Sequence, residues 1–162
     1  MNLIAVVDKK WGIGKDGSQL VTIPEDMKFF RQETIGKVLV LGRKTLETFP
    51  GGRPLESRVN IVLTRDANFK AKDTIVCHNV DEVLEEVKKY DTDDVYVVGG
   101  GLVYEQMLPM CKVAHITKVD YTYDADTYFP DLDKCKDWKI TETSDEKTYF
   151  DLCYEFVKYE RA

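Results

Sequence analysis

None of the four cysteines has a CxxC neighbour, and the two histidines form neither an HxxxH nor an HxH pair. That spacing offers no zinc site or disulfide framework, so Cys77, Cys111, Cys135 and Cys153 are expected to be free, mostly buried thiols in a reducing compartment. Long apolar runs are also missing: none approaches the roughly 18 residues of a membrane span. The N-terminal run reaches charge at Asp8, too soon for a signal-peptide core, which makes the cytoplasm the expected location. Excess positive charge is absent too. With 23 Lys and Arg against 29 Asp and Glu the net charge is −6, which argues against nonspecific nucleic-acid binding. Linkers, repeats and low-complexity segments are lacking, and 162 residues suit one domain, 1–162, that buries roughly two thirds of its unfolded surface.

What is present is an alternation of short Val- and Ile-rich runs with helical patterns. It predicts an α/β fold: a single domain with a central mixed, mostly parallel β-sheet flanked by helices and a C-terminal antiparallel hairpin. Strands are expected over 3–7, 38–41, 59–64, 74–77, 95–98, 114–119, 138–143 and 149–159. Helices are expected from Pro24, over 44–48, over 80–90 with apolar residues at 80, 83, 84 and 87, and over 102–107. Residues 11–18 read as a glycine-containing loop, and Phe49-Pro50-Gly51-Gly52 as a turn.

Residues 22–30, Thr-Ile-Pro-Glu-Asp-Met-Lys-Phe-Phe, place one carboxylate in the first turn of a helix. Pro24 suits the first helical position, so Asp26 follows two residues later, with Phe29 and Phe30 on its side at i+3 and i+4. The helix N-terminus favours the anion of Asp26, while aromatic walls that exclude water favour its acid form. Such a group suits a flat, protonatable ligand; an ordinary acidic first turn on a solvated helix is the alternative.

Two strand-to-helix junctions carry features that suit phosphates. One is Gly42-Arg43-Lys44-Thr45; the other is Gly99-Gly100-Gly101 after Val98. Glycine permits close backbone approach, and helix-opening N–H groups can meet an anion. Neither matches the GxGxxG fingerprint or a Walker loop, and each alone is compatible with a turn or a solvated basic face. With Thr64-Arg65 ending a strand between them, they favour a dinucleotide. Arg43 and Arg65 suit an additional ribose phosphate, because guanidinium forks bind phosphate oxygens in pairs.

The ordered set Leu-Ile-Ala-Val-Val at 3–7, Ile-Gly at 13–14, Ile-Pro-Glu-Asp-Met-Lys-Phe-Phe at 23–30, Gly-Arg-Lys-Thr at 42–45, Arg-Val-Asn-Ile-Val-Leu-Thr at 58–64, Val-Gly-Gly-Gly at 98–101 with Tyr104, and Asp-Thr-Tyr-Phe-Pro at 126–130 spans nearly the whole chain. It resembles bacterial dihydrofolate reductase. The resemblance implies NADPH-dependent reduction of 7,8-dihydrofolate to tetrahydrofolate for one-carbon metabolism, a monomer, and antifolate inhibitors as further ligands. It makes Asp26 the ionisable residue of the pterin site, helped by Thr117. Ile4, Ala5, Met27, Phe30, Leu55 and Val98 fall where the family lines the substrate pocket, and Arg58 where it grips the glutamate α-carboxylate. Val6, Ile13, Gly14, Gln19, Val98 and Tyr104 match the nicotinamide region. Gly42, Arg43, Lys44, Thr45, Leu63, Thr64, Arg65, Gly100, Gly101, Leu102 and Val103 match the phosphate and adenosine region, within which roughly 37–90 would form an adenosine-binding subdomain. Thr127, beside Asp126, matches the support of the closing loop, and the Gly99–Gly100 bond is expected to be cis. No metal is implied.

Three departures stand out. Gln19-Leu20-Val21 replaces the family's usual Met-Pro-Trp, Leu102 replaces an arginine, and Ala125 replaces a glycine. They predict altered loop closure, an altered proton route, and fewer cations at the cofactor phosphates. A reductase of another pterin or of a ribosylaminopyrimidine is a second reading, against which Arg58 argues, since only a glutamate tail needs it. A noncatalytic folate- or nucleotide-binding module is a third.

Overall fold

The computed structural model describes residues 1–162. The chain runs β1 (Asn2–Val7), β2 (Gly12–Lys15), β3 (Ser18–Gln19), α1 (Pro24–Thr34), β4 (Val38–Gly42), α2 (Arg43–Thr48), β5 (Val59–Leu63), β6 (Ile75–Cys77), α3 (Val80–Val87), β7 (Val95–Gly99), α4 (Gly101–Met107), β8 (Val113–Val119), β9 (Thr127–Tyr128), β10 (Trp138–Thr143), β11 (Lys147–Tyr149) and β12 (Leu152–Arg161). Nine strands make the main sheet in the order β10-β12-β8-β1-β7-β4-β5-β6, with β11 also paired to β12. The pairings from β8 to β6 are parallel, and those made by β12 are antiparallel.

Successive side chains of a strand point to opposite faces, and here each face has its own core. Leu3, Val7, Val40, Ile61, Val97 and Ile116 pack with Val83, Val103 and Met107, so α3 and α4 cover one face. Ile4, Leu39, Leu41, Val62 and Tyr96 pack with Phe29, Phe30 and Leu46, so α1 and α2 cover the other. The apolar stripe of α3 accounts for its place: Val83 is fully buried, with Val80, Leu84 and Val87 beside it. Asn79 caps this helix by accepting the Glu82 N–H at 2.8 Å, satisfying one otherwise unpaired donor.

Two segments differ from the sequence expectation. Residues 11–18 are not a plain loop, because β2 and β3 form a hairpin over Asp16 (φ 50°) and Gly17 (φ 80°), and β9 joins β2 to complete a three-stranded sheet. An Asp-Gly pair favours such a turn because both central residues need positive φ. The strand expected over 149–159 is interrupted. Tyr149 pairs with Leu152 across a turn in which Phe150 has φ 55°, so β11 and β12 form the hairpin while β10 pairs further along β12. The helix expected over 80–90 ends at Val87. All four cysteines are free, with Cys77 and Cys111 buried and Cys135 and Cys153 half-buried. No helix is long and apolar enough to cross a membrane.

The neighbours of β1 are unequal. It pairs with β8 from Asn2 to Val7 but with β7 only through Asn2↔Tyr96 and Leu3↔Val97. Past Leu3 the two strands part, leaving a seam in the middle of the sheet at the C-terminal ends of its parallel strands. Ligands of open α/β sheets bind at such ends.

Candidate active site

One side of the seam carries the acid. The register sets Val6 beside Thr117 and Thr117 beside Phe156 across β1, β8 and β12. Pro24 opens α1 after Ile23, which is 2 % exposed and anchors the helix start, so Asp26 in the first turn faces this row. Thr117 donates its hydroxyl to Asp26 Oδ1 at 2.5 Å. Burial pushes the Asp26 carboxyl above the ordinary Asp range, and the Thr117 hydrogen bond opposes the shift by favouring the anion. Phe29 stacks on Phe156 with centroids 4.8 Å apart, and Phe30 packs into the α1–α2 core. Across the seam, the buried Tyr104 donates its hydroxyl to the Ile4 carbonyl at 2.6 Å, occupying an oxygen that the parted strands leave free.

The last turn of the same helix reaches a cation. Thr34, fully buried, donates to the Phe30 carbonyl at 2.8 Å and accepts from Arg58 Nε at 2.9 Å. Arg58 Nη1 donates to the Glu56 carbonyl at 2.8 Å, and Nη2 makes no bond within the chain. Burial, then the nearby Arg31, lowers the Arg58 pKa, an arrangement suited to an incoming carboxylate. Asn60, 2 % exposed within β5, fixes the preceding loop: its side chain binds both the N–H and the carbonyl of Leu55 and the carbonyl of Arg58. Leu55 is thereby held against the Leu39–Leu41 core, while Met27 stays 58 % exposed.

The two glycine junctions lie side by side because β4 and β7 are adjacent. A Cβ added at Gly42 would stand 3.3 Å from Val103 Cγ2, and one at Gly100 would stand 3.4 Å from Thr45 Oγ1. Neither α2 nor α4 receives a side-chain cap, so main-chain N–H groups face the cradle the glycines leave open. The Gly99–Gly100 bond is cis. An open cleft of about 460 Å³ adjoins α2, lined by Asp16, Gly17, Arg43, Lys44, Glu47 and Thr48. Arg43 is poised between Glu47 and Asp66, at 3.7 Å from each. Thr64 accepts the Asp66 N–H at 3.2 Å, shaping the turn that presents the exposed Arg65. The glycine cradle and the cation set fit a phosphorylated dinucleotide.

The small sheet lies against this edge. Asp126 accepts the Asp16 N–H at 2.9 Å and the Thr127 hydroxyl at 2.8 Å, which hold its carboxyl below the usual Asp range, the Asp16 bond foremost. A Cβ added at Gly101 would meet Thr127 Cγ2 at 2.6 Å and Ile13 Cδ1 at 3.9 Å, so α4 and the small sheet are in contact. Gly14 pairs with Gln19 and with Thr127. Leu102 is 58 % exposed.

Asp26 with Thr117, and Tyr104 with Ile4, thus flank the seam, while the Gly42 and Gly100 junctions meet at its edge through Val103 and Thr45. Ala5 differs: its methyl packs with Leu3 and Val7 in the opposite core, leaving its main chain as what it can offer the site. Leu63 packs against that core as well. Neither Thr34 nor Asn60 stands out as a site residue in the sequence; the one signal for Asn60 is a polar residue inside an otherwise apolar strand.

A seam flanked by a raised carboxyl on one side and a glycine-lined, cationic edge on the other fits a nicotinamide-dependent reductase of a protonatable ring. The dihydrofolate reductase family model matches residues 1–161. The chain is 34% identical to dihydrofolate reductase of Staphylococcus haemolyticus over 165 residues, covering 99% of this chain and 95% of the relative. It is 31% identical to that of Bacillus subtilis, covering 99% and 94%. A solved dihydrofolate reductase from Enterococcus faecalis, complexed with NADP(H) and RAB-propyl, superposes with a TM-score of 0.87 at 34% identity, covering 99% of this chain and 95% of that one. The chain belongs to the dihydrofolate reductase family and catalyses NADPH-dependent reduction of dihydrofolate to tetrahydrofolate. The noncatalytic and other-ring readings give way to the first.

Proposed function

We propose that Asp26 binds the pterin and promotes protonation of its ring, that Arg58 grips the glutamate tail, and that the Gly42 and Gly100 junctions seat the cofactor phosphates. The observation that carries this reading is the Thr117–Asp26 hydrogen bond beside the seam, which sets a carboxyl of raised pKa where a ring would lie. Bound there, NADPH supplies the hydride received by the pteridine carbon. Asp26 binds the 2-amino group and adjacent ring nitrogen, and its carboxylate charge favours the protonated ring, so a water can pass a proton from solvent to the nitrogen beside the reduced carbon. Thr117 fixes the carboxylate's direction. Ile4, the Ala5 main chain, Met27, Phe30, Leu55 and Val98 enclose the ring and benzoyl group.

On the cofactor side, Val6, Ile13, Gly14, Gln19 and Tyr104 surround the nicotinamide. Gly42 to Thr45, Leu63 to Arg65, and Gly100 to Val103 take the phosphates and adenosine, with residues 37–90 as the adenosine subdomain. Thr127 supports the closing loop. The same pocket suits antifolates; the solved Enterococcus faecalis relative is complexed with RAB-propyl. Four free thiols suit a reducing compartment, and a cytoplasmic monomer completes the proposal. The test is loss of NADPH absorbance with added dihydrofolate, compared between the native chain and Asp26→Asn. An unchanged rate in the variant removes Asp26 from the mechanism.

A further inference from the structure

Asp8 touches none of the site residues above, yet it is 2 % exposed and has both carboxylate oxygens committed. Oδ1 accepts the N–H groups of Lys10 at 2.9 Å and Gly12 at 2.8 Å, closing the tight loop that leaves β1. The main chain of Asp8 completes this loop, donating to the Gly12 carbonyl and accepting from Trp11, both at 3.0 Å. Oδ2 does something different: it accepts the N–H of Tyr123, 115 residues away, at 3.0 Å. Lys9 N–H reaches the Tyr121 carbonyl alongside, also at 3.0 Å. A Cβ on Gly12 would lie 2.6 Å from Ala125 Cβ and 3.0 Å from Asp8 Oδ2, so Asp8, Gly12 and Ala125 are packed together.

We propose that Asp8 is a positioning residue for the reductase, its carboxylate joining the roots of the two segments, 8–19 and 121–128, that meet beside the cofactor, so that they move as one body. This rests on the assignment of Ile13, Gly14, Gln19 and Thr127 to the cofactor side. Farther out the segments are joined by the β2–β9 pairing, by the Asp126 N–H to the Gly14 carbonyl at 2.9 Å, and by the Asp16–Asp126 bond, which is exposed and open to competition from solvent. At the root Asp8 is withdrawn from water, where a carboxylate hydrogen bond is stronger. Asparagine separates the two duties of Asp8. Its single carbonyl oxygen can serve Lys10 and Gly12, but its NH₂ would face the Tyr123 N–H, donor against donor. Asp8→Ser likewise keeps a short local acceptor and cannot reach Tyr123.

Both variants are tested in the full chain by amide hydrogen exchange without ligand and by stopped-flow NADPH release. Exchange in 8–19 and in 121–128 is expected to rise together, by about tenfold, with β4 and β5 unchanged. NADPH release is expected to quicken about tenfold while the dihydrofolate KM stays within about twofold. Exchange that rises in one segment only, in neither, or throughout the protein overturns the proposal, as does an equal change in both ligands. Faster coupled exchange with unchanged NADPH release overturns the positioning role. The cofactor assignment itself is decided separately in the unaltered protein by whether added NADPH slows amide exchange at Ile13, Gly14, Gln19 and Thr127, so the two failures are distinguishable. Should neither variant fold, the unaltered protein still decides: the amides of Gly12 and Tyr123 are expected to share one opening rate, and rates differing by about tenfold or more overturn the joint.

Discussion

Asp26 and Arg58 are held by opposite ends of one helix. Asp26 in the first turn of α1 accepts from Thr117 of β8, and Thr34 in the last turn accepts from Arg58 at the edge of β5. The separation between ring anchor and tail anchor is therefore set by a rigid element, and each end can be altered without the other.

Asp26→Asn is expected to lower kcat by about a hundredfold or more near neutral pH while leaving the protein folded. Stability should move the other way. Because the folded-state pKa of Asp26 is raised, folding favours its acid form; that stability is present at low pH and is lost as pH rises through the raised value. At pH 7, above the range of an unfolded Asp, the raised folded-state pKa of Asp26 is a cost that the non-titrating Asn removes, so calorimetry should show an equal or higher Tm. A lower Tm at pH 7 and an unchanged one at pH 4 would contradict this sign.

Arg58→Leu is expected to raise the dihydrofolate KM about thirtyfold, in line with loss of a charge-assisted carboxylate contact. NADPH affinity, measured by fluorescence titration, should change by less than about twofold, since Arg58 lies with α1 rather than at the glycine junctions. Equal losses for both ligands would reassign Arg58 to a structural role through its bond to Thr34.

Arg65→Ser is expected to weaken NADPH about tenfold while leaving NADH nearly unaffected, because only NADPH brings the extra ribose phosphate. Arg65 makes no ion pair within the chain, whereas Arg43 lies near two carboxylates. The preference ratio, read from kcat/KM for both cofactors, separates a phosphate contact from a general loss of fold.

Gly101→Ala is expected to push the small sheet off α4, since the new methyl would lie 2.6 Å from Thr127 Cγ2. NADPH KM should rise several-fold. Adding Thr127→Ser deletes that methyl and should restore most of the affinity; a double variant no better than the single one would mean that the contact is not the cause.

Asp26, the glycine junctions and the strands of the parallel core could be read from local sequence, because each rests on short spacings: Pro24 before Asp26, Gly42 before Arg43, alternation within 38–41. Asp16-Gly17 carries its own hairpin signal, but β2 and β3 are too short to show a period of two, so the stretch reads as loop. Residues 149–159 read as one strand since Tyr149, Phe150 and Leu152 all suit strands, and only the positive φ of Phe150 reveals the turn. Asp8 could not be read at all. Its meaning depends on Tyr123, more than a hundred residues away, and nothing beside it announces that partner. The Asn60 bridge to Leu55 is local, but its purpose appears only once Arg58 is seen against Thr34.

The sparse pairing of β1 with β7 makes the sheet two half-ladders joined by two rungs, Asn2↔Tyr96 and Leu3↔Val97. A ligand seated past them would bridge the two halves. Tight binding to the folded form alone adds about 2.7 kcal/mol at a hundredfold excess over Kd. The protein's resistance to protease should then rise as cofactor is supplied.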